Sequence, residues 1–267
     1  MAFTTLRRIL SVVLRRGTQI AKNSYNRDGL KGVLIDQTYL LNAIWHTLRN
    51  TPVASPGVTV PSPRDLGIFR TAEILAGRYE QKEASLVERY VPDSSDVLEL
   101  GGGIGFITAV TEQTTDDLGT HVVLEVNPDL LPMLRQAKKT NELQVIVDPV
   151  AYSSNGDTVA FESGNTFTQS SIAGSDTDGE TVPAKSLESL IEEYDLDEFA
   201  LIADIEGAEA GLLDEEFETM ASHCPVVILE LHRSSLGEDL TPYLEKMRTE
   251  YTLLEDLDPV FAFRRSS

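Results

Sequence analysis

Val97-Leu98-Glu99-Leu100-Gly101-Gly102-Gly103-Ile104-Gly105-Phe106 is the stretch whose reading decides the fold. Apolar and β-branched positions lead into alternating glycines, and an apolar helical pattern follows at Phe106, Ile107, Ala109 and Val110. That order predicts a buried parallel strand, a tight turn without Cβ atoms, and a helix packed back on the strand. Such a turn brings backbone N–H groups and a helix N-terminus up to a nucleotide-like ligand. Glu125 adds weight, because it ends the next apolar run, His121-Val122-Val123-Leu124. It lies about twenty residues past the glycines, the separation at which an acid on the second strand meets ribose hydroxyls.

Outward from this stretch the pattern repeats. The first helix is expected to run to about Asp117, with Gly119 as its C-terminal cap. Asn127 as N-cap, Pro128 at the first position and Lys138-Lys139 in the last turn mark a second helix. A strand at Leu143–Val147 then completes two successive βα units, the signature of a parallel, doubly wound sheet. The next crossover is long, with a hairpin arm at Thr158–Glu162 and a Ser/Thr/Gly/Asp-rich stretch, Ser163–Asp178, placed to cover a cleft. A helix at Ser186–Tyr194 leads to strands at Phe199–Ile205 and Pro225–Leu231. A helix starting at Thr241-Pro242 and a hairpin of Tyr251–Asp256 with Val260–Arg264 close the chain. The fold class is therefore α/β, with a doubly wound, mostly parallel seven-stranded sheet and an N-terminal helical extension.

Upstream, Asp65–Tyr90 reads as helical with a break at Gly77–Glu80, and Gln37–Leu48 reads as another helix. Pro52, Pro56, Gly57, Pro61 and Pro63 are expected to interrupt regular structure. The boundary falls there, with residues 1–64 as extension and linker and 65–267 as the ligand-binding domain. Residues 1–35 carry seven basic side chains against one acid, with apolar positions at helical spacing. Two readings of this segment stay open: packing on the acidic body or on a second subunit of a homo-oligomer, or lying on an anionic membrane surface.

The 267 residues include 43 acidic and 22 basic side chains, a formal net charge of −21. Such a surface repels phosphate, so nucleic acid is not expected as a partner. Arginine outnumbers lysine about two to one, and an acidic, lysine-poor surface suits a salt-rich cytoplasm. No run is long enough to span a bilayer and no signal-peptide pattern is evident, so a cytoplasmic location is expected. The lone cysteine, Cys224, excludes an internal disulfide and is expected to be a buried small hydrophobe.

Ligands of open α/β sheets bind beyond the carboxyl ends of the strands, where strand order reverses. That edge gathers Gly101, Gly103 and Gly105, then Glu125 and Asn127, then Asp148, then Asp204 and Glu206, then Glu230 and His232. Asp204 and Glu206 stand out because they terminate an otherwise apolar strand. A cation-holding oxygen cluster would need Asp204, Glu206 and Glu230 together. Nothing in the sequence fixes that geometry, and no metal is assigned. A nicotinamide dinucleotide normally asks for G-x-G-x-x-G, and here Phe106 follows Gly105, so the third glycine is absent. S-adenosylmethionine, which has no phosphate, suits Glu99-Leu100-Gly101-Gly102-Gly103-Ile104-Gly105 better.

Taken together, the segments Gly77–Glu80, Val97–Phe106, Ser186–Leu190, Ala203-Asp204-Ile205-Glu206-Gly207-Ala208-Glu209 and Pro225–His232 resemble the FkbM-type family of class I S-adenosylmethionine-dependent methyltransferases. The resemblance covers about residues 75–235, and Asp204–Glu209 is its most diagnostic part. It implies that Tyr79, Glu99, Gly101, Gly103, Gly105, Phe106, Glu125 and Asn127 hold the cofactor, with Asp148 and Ala151 near adenine. Asp204 would then lie beside the methionine end. It also implies O-methylation of a sugar, glycan or other hydroxylated small molecule, with Asp204, Glu206 and His232 as candidate bases. The chain departs from the family pattern at Ile202, where lysine is frequent, at Glu188, where aspartate is frequent, and in the Gly101-Gly102-Gly103 triplet. Two alternatives stay open: a nicotinamide-dependent oxidoreductase, and a non-catalytic binding protein on the same fold.

Overall fold

The computed structural model describes residues 36–55, 57–61, 63–163, 170–173, 180–205 and 207–266. The amphipathic readings of residues 1–35 and the catalytic reading of Glu206 fall outside the described residues. The chain forms two compact units, residues 1–56 with 62–79, and residues 57–61 with 80–267.

In the first unit α1 spans 36–49, β1 is Val53–Ser55 and α2 is Pro63–Leu75. α1 buries Asp36, Ala43 and Thr47, and the Arg78 guanidinium reaches the Asp36 carboxylate at 2.5 Å. α2 breaks at Gly67, whose φ of 77° lies in the left-handed region. The proline-rich stretch was expected to lack regular structure. Instead it carries β1 and, in the second unit, β2 at Val58–Val60. The Val-x-Ser and Val-x-Val alternation outweighs prolines that flank the strands without entering them.

The second unit continues with α3 (Gln81–Tyr90), β3 (Asp96–Leu100), α4 (Phe106–Thr114), β4 (His121–Leu124), α5 (Leu131–Thr140) and β5 (Ile146–Asp148). Next come β6 (Ala151–Tyr152), β7 (Thr158–Ser163), β8 (Ser170–Ala173), β9 (Glu180–Lys185), α6 (Leu187–Tyr194) and β10 (Phe199–Ala203). A π-helical turn at Gly211–Glu215 precedes α7 (Phe217–His223), β11 (Val226–Glu230), α8 (Arg233–Leu236), α9 (Thr241–Glu250), β12 (Tyr251–Leu257) and β13 (Val260–Arg265).

The main sheet has the order β12-β13-β11-β10-β3-β4-β5. β3, β4, β5, β10 and β11 run parallel, and β13 is antiparallel to both β11 and β12. β3, β10 and β4 are buried almost end to end, as strands covered on both faces must be. Leu98, Leu100, Phe199, Leu201, Val227, Leu229 and Phe263 form the centre of the core, which also buries Cys224 completely. Strand order reverses between β3 and β10, whose ends pair as Leu100 with Ala203. The cleft must therefore open there.

Three expectations are corrected. α4 stops at Thr114 with Thr115 as its cap, and Gly119 instead packs its backbone against Ser95 and Asp96. α5 starts at Leu131 rather than at Pro128, because the Asn127 side chain closes a turn by accepting from Asp129 N at 2.9 Å. The long crossover is mostly not a loop. β6 to β9 form a second, four-stranded sheet in the order β6-β9-β7-β8, and the covering role expected of its polar stretches falls mainly outside the described residues. Its end is anchored by Glu216, which accepts from Tyr152 Oη at 2.7 Å and from Leu187 N at 3.0 Å, capping α6 from another element.

The acidic excess has a measurable consequence. Screening shortens from about 10 Å at 0.1 M salt to about 3 Å at 1 M. The thermal midpoint is therefore expected to rise by at least about 5 °C between those conditions. A flat midpoint in scanning calorimetry would show that carboxylate repulsion does not limit stability.

Candidate active site

The site starts from the glycine turn. Gly101 N and Gly102 N both donate to Leu124 O, at 3.0 and 2.8 Å, so the turn is fastened to the end of β4. Gly101 has φ +93°, and a Cβ there would run into the Asp204 carbonyl oxygen. Asp204 N in turn donates to Leu100 O at 2.9 Å, so the exits of β3 and β10 touch through their backbones. Gly103 has φ +53°, and a Cβ there would meet nothing within 4 Å. The turn thus presents bare backbone to open space, which is what a closely held nucleoside requires.

Glu125 locks the far side of the turn. Its carboxylate accepts from Gly103 N at 2.7 Å and from Asn127 N at 2.6 Å, and the residue is 8% exposed. Burial pushes its pKa up to about 7; the charge on Asp204 adds to the rise, and the backbone donors of Asn127, Gly103 and Val126 oppose it. A carboxylate has room for further donors beyond these two, of the kind a ribose diol carries. Only the ionised form accepts from both hydroxyls, so protons compete with the donor. Affinity for S-adenosylhomocysteine is expected to be flat above about pH 8 and to fall toward tenfold per pH unit below about pH 6.5. Calorimetric titrations between those limits check it; a pH-independent dissociation constant would contradict it.

The cleft itself is lined by Glu80, Glu83, Glu99, Asp204 and Glu230, over the glycine turn and beside Ile107, Ile202 and Ile228. Among the described residues, none that lines it is lysine or arginine. Parallel pairing of β10 with β11, in the register Ala203 to Leu229, sets Asp204 beside Glu230. His232 Nε2 lies 3.5 Å from Asp204 Oδ1 and 3.6 Å from Glu230 Oε1. Burial, the neighbouring Asp204 charge and Glu83 push the Glu230 pKa up to about 8, with His232 opposing. For His232, burial pulls the pKa down, but hydrogen bonding to Glu209 and the charges of Asp204 and Glu230 outweigh it and raise it to about 9. Glu230 and His232 are thus both shifted toward their protonated forms. Among the described residues, Asp204, Glu230 and His232 place one polar atom each within 4.8 Å of the others; Glu206, the third member expected from the sequence, lies outside the described residues.

Among the candidates from sequence, the cleft gathers Glu99, Gly101, Gly103 and Asp204, with Gly105 and Phe106 starting α4 behind the turn. Glu99 is 1% exposed, and its two oxygens take Thr108 Oγ1 at 2.9 Å and His121 Nε2 at 3.2 Å. It holds α4 and β4 to the floor of the cleft. Glu125 and Asn127 sit one strand over. Asp148 is one strand further, where Lys185 Nζ at 2.7 Å and Tyr194 Oη at 2.8 Å engage its carboxylate, and Ala151 is buried in β6. Tyr79 belongs to the first unit, buried, with the Arg70 guanidinium 5.1 Å from its ring centre. Glu83 and Glu209 are not among the site residues expected from the sequence; Glu230 is, as an acid at the sheet edge and as a member of the possible cation-holding cluster. Ending an apolar strand was the signal that singled out Asp204, and it applies equally to Glu230.

A family model described as the methyltransferase FkbM domain matches residues 99–255, and S-adenosylmethionine is the methyl donor of such domains. The glycine turn, the buried Glu125 and the acidic cleft fit a cationic sulfonium nucleoside. No curated protein matches the chain. Similar solved structures include an rRNA methylase of Streptococcus thermophilus, with 10% identity, a TM-score of 0.42, and 70% of this chain and 95% of the other covered. The precorrin-6y C5,15-methyltransferase of Geobacter metallireducens gives 14% identity, a TM-score of 0.40 and coverage of 71% and 89%. Fibrillarin of Aeropyrum pernix, with natively bound S-adenosyl-L-methionine, gives 10%, 0.40, and 69% and 74%. With its matched segment running from the end of β3 into β12, over more than half of its length, the chain belongs to the FkbM methyltransferase domain family.

Proposed function

We propose that this methyltransferase transfers the methyl group of S-adenosylmethionine to a hydroxyl of a small molecule, such as a sugar, a glycan unit or another polyol. The observation that carries this reading is the acidic wall of the cleft facing the glycine turn. Methyl transfer from a sulfonium is an in-line displacement, so holding the acceptor oxygen at attack distance supplies much of the acceleration. A hydroxyl also has to lose its proton, and a carboxylate within hydrogen-bond reach takes it. Asp204 is suited to this, because its side chain is 43% exposed at the cleft and its backbone touches the turn that would hold the donor. The nucleoside would rest on Gly101 and Gly103, with its ribose on Glu125 and its positive sulfur toward the carboxylates.

A lining whose charged residues, among those described, are all acidic disfavours phosphorylated acceptors and nucleic acid. The test is incubation of the full chain with methyl-labelled S-adenosylmethionine and separate pools of sugars, glycans, polyols, total RNA and protein. Label in a base-stable ether of a hydroxylated small molecule is the expected outcome. Label in RNA, or in a carboxyl ester or amine, would overturn the acceptor class.

A further inference from the structure

Glu209 is fully buried, yet it carries a carboxylate. Burial of a charge is costly unless donors surround it. Here His232 Nδ1, Ser235 Oγ at 2.9 Å and Gly207 N at 3.1 Å do so. The three donors come from two places, the turn after β10 and the segment after β11, so one carboxylate ties together the two strand exits that build the acidic wall. With Nδ1 committed to Glu209, the imidazole has one remaining nitrogen, and it is Nε2 that faces Asp204 and Glu230. A ring free to rotate about its χ angles would not hold that direction, and a fixed partner on Nδ1 is how proteins set it.

We propose that Glu209 is the positioning residue of the transfer reaction: it fixes the His232 imidazolium so that Nε2–H orients the Asp204 carboxylate toward the acceptor hydroxyl. The inference rests on the reading of the site given above. In the step itself, an oxygen lone pair of the acceptor forms the new O–CH3 bond. The S–CH3 bond breaks with its electron pair going to sulfur, leaving neutral S-adenosylhomocysteine. The hydroxyl proton passes to Asp204. His232 offsets charge on the Asp204–Glu230 pair and is not consumed. Among the described residues, the charged groups facing it are Glu209 and Asp204 from the segment after β10 and Glu230 from β11. Glu83 of α3 stands behind Glu230, and the adjacent Arg233 is occupied by Asp258 at 2.8 Å.

Two measurements on the full chain test this. The first needs no acceptor. In 15N-histidine-labelled protein, which has four histidines in all, the wild type should show His232 with a downfield Nδ1–H resonance, assigned by its loss in His232→Asn. Glu209→Gln should move that resonance strongly upfield, and Glu209→Asp should restore part of the shift. A His232 signature unaltered in folded Glu209→Gln overturns the proposal. The second uses whichever acceptor the labelling experiment identifies. Glu209→Gln is expected to lower kcat about 30-fold or more while changing S-adenosylhomocysteine affinity less than about threefold. The same change in a His232→Asn background should cost less than about threefold further. Full additivity overturns the proposal, as does activity abolished by chelation and restored by Mg2+ or Mn2+, since His232 would then be a ligand. If no acceptor is found but the histidine signature behaves as stated, the functional reading fails while the Glu209–His232 arrangement stands.

Discussion

Gly101→Val is expected to abolish donor binding and to cost the protein about 3–5 kcal/mol of stability, summing left-handed strain and overpacking. The residue has φ +93°, and a side chain there would collide with the main chain at Asp204. That backbone is itself held by the bond from Asp204 N to Leu100 O, so it has no room to yield. Either the turn or the β3–β10 junction must give way. Gly103→Ala separates fold from site. Its φ of +53° is tolerable and its Cβ meets nothing within 4 Å, so the stability cost should stay near 1 kcal/mol. The added methyl occupies donor space, and affinity should fall by about tenfold or more. Calorimetric melting and S-adenosylhomocysteine titration of both variants check this. A Gly103→Ala protein that binds like wild type would show that the nucleoside lies elsewhere.

Glu125→Ala is expected to lower affinity for the nucleoside at least about 100-fold, since each lost charge-assisted bond to the ribose is worth about 1.5–3 kcal/mol. It also strands the N–H groups of Gly103 and Asn127, which Glu125 now receives at 2.7 and 2.6 Å. Each stranded donor costs about 1–3 kcal/mol unless water reaches it. Glu125→Gln retains one acceptor and cannot ionise. It should bind about tenfold more weakly, with no pH dependence between pH 6 and 8. Wild-type affinity in Glu125→Ala would remove the residue from the cofactor site. Retained pH dependence in Glu125→Gln would assign the titration to another group.

Much of this arrangement was legible in the sequence because few patterns place glycines, an acid about twenty residues on and apolar strands in that order. The order of parallel strands, the closing hairpin and the cleft edge follow from local signals, and Cys224 is as buried as its apolar neighbours required. The second sheet was legible only in its first arm. The hairpin arm expected at Thr158–Glu162 is β7, but β8 and β9 lie in or beside a Ser/Thr/Gly/Asp-rich stretch, so their pairing with β7 outweighs a composition that reads as loop. The α5 start was misplaced because Asn127 caps a turn with the same chemistry that caps a helix. Glu209 was hidden for another reason. Its importance is that it is buried and faces His232, 23 positions away, and neither fact has a local signature.

The central claim is that a sulfonium nucleoside sits over Gly101–Gly103 with its ribose on Glu125. Isothermal titration of the full, folded chain with S-adenosylhomocysteine tests it most directly. One site per chain with a micromolar dissociation constant is expected, weakened at least about 100-fold in Glu125→Ala. No heat of binding to wild-type protein, or binding of NAD in its place, would contradict it.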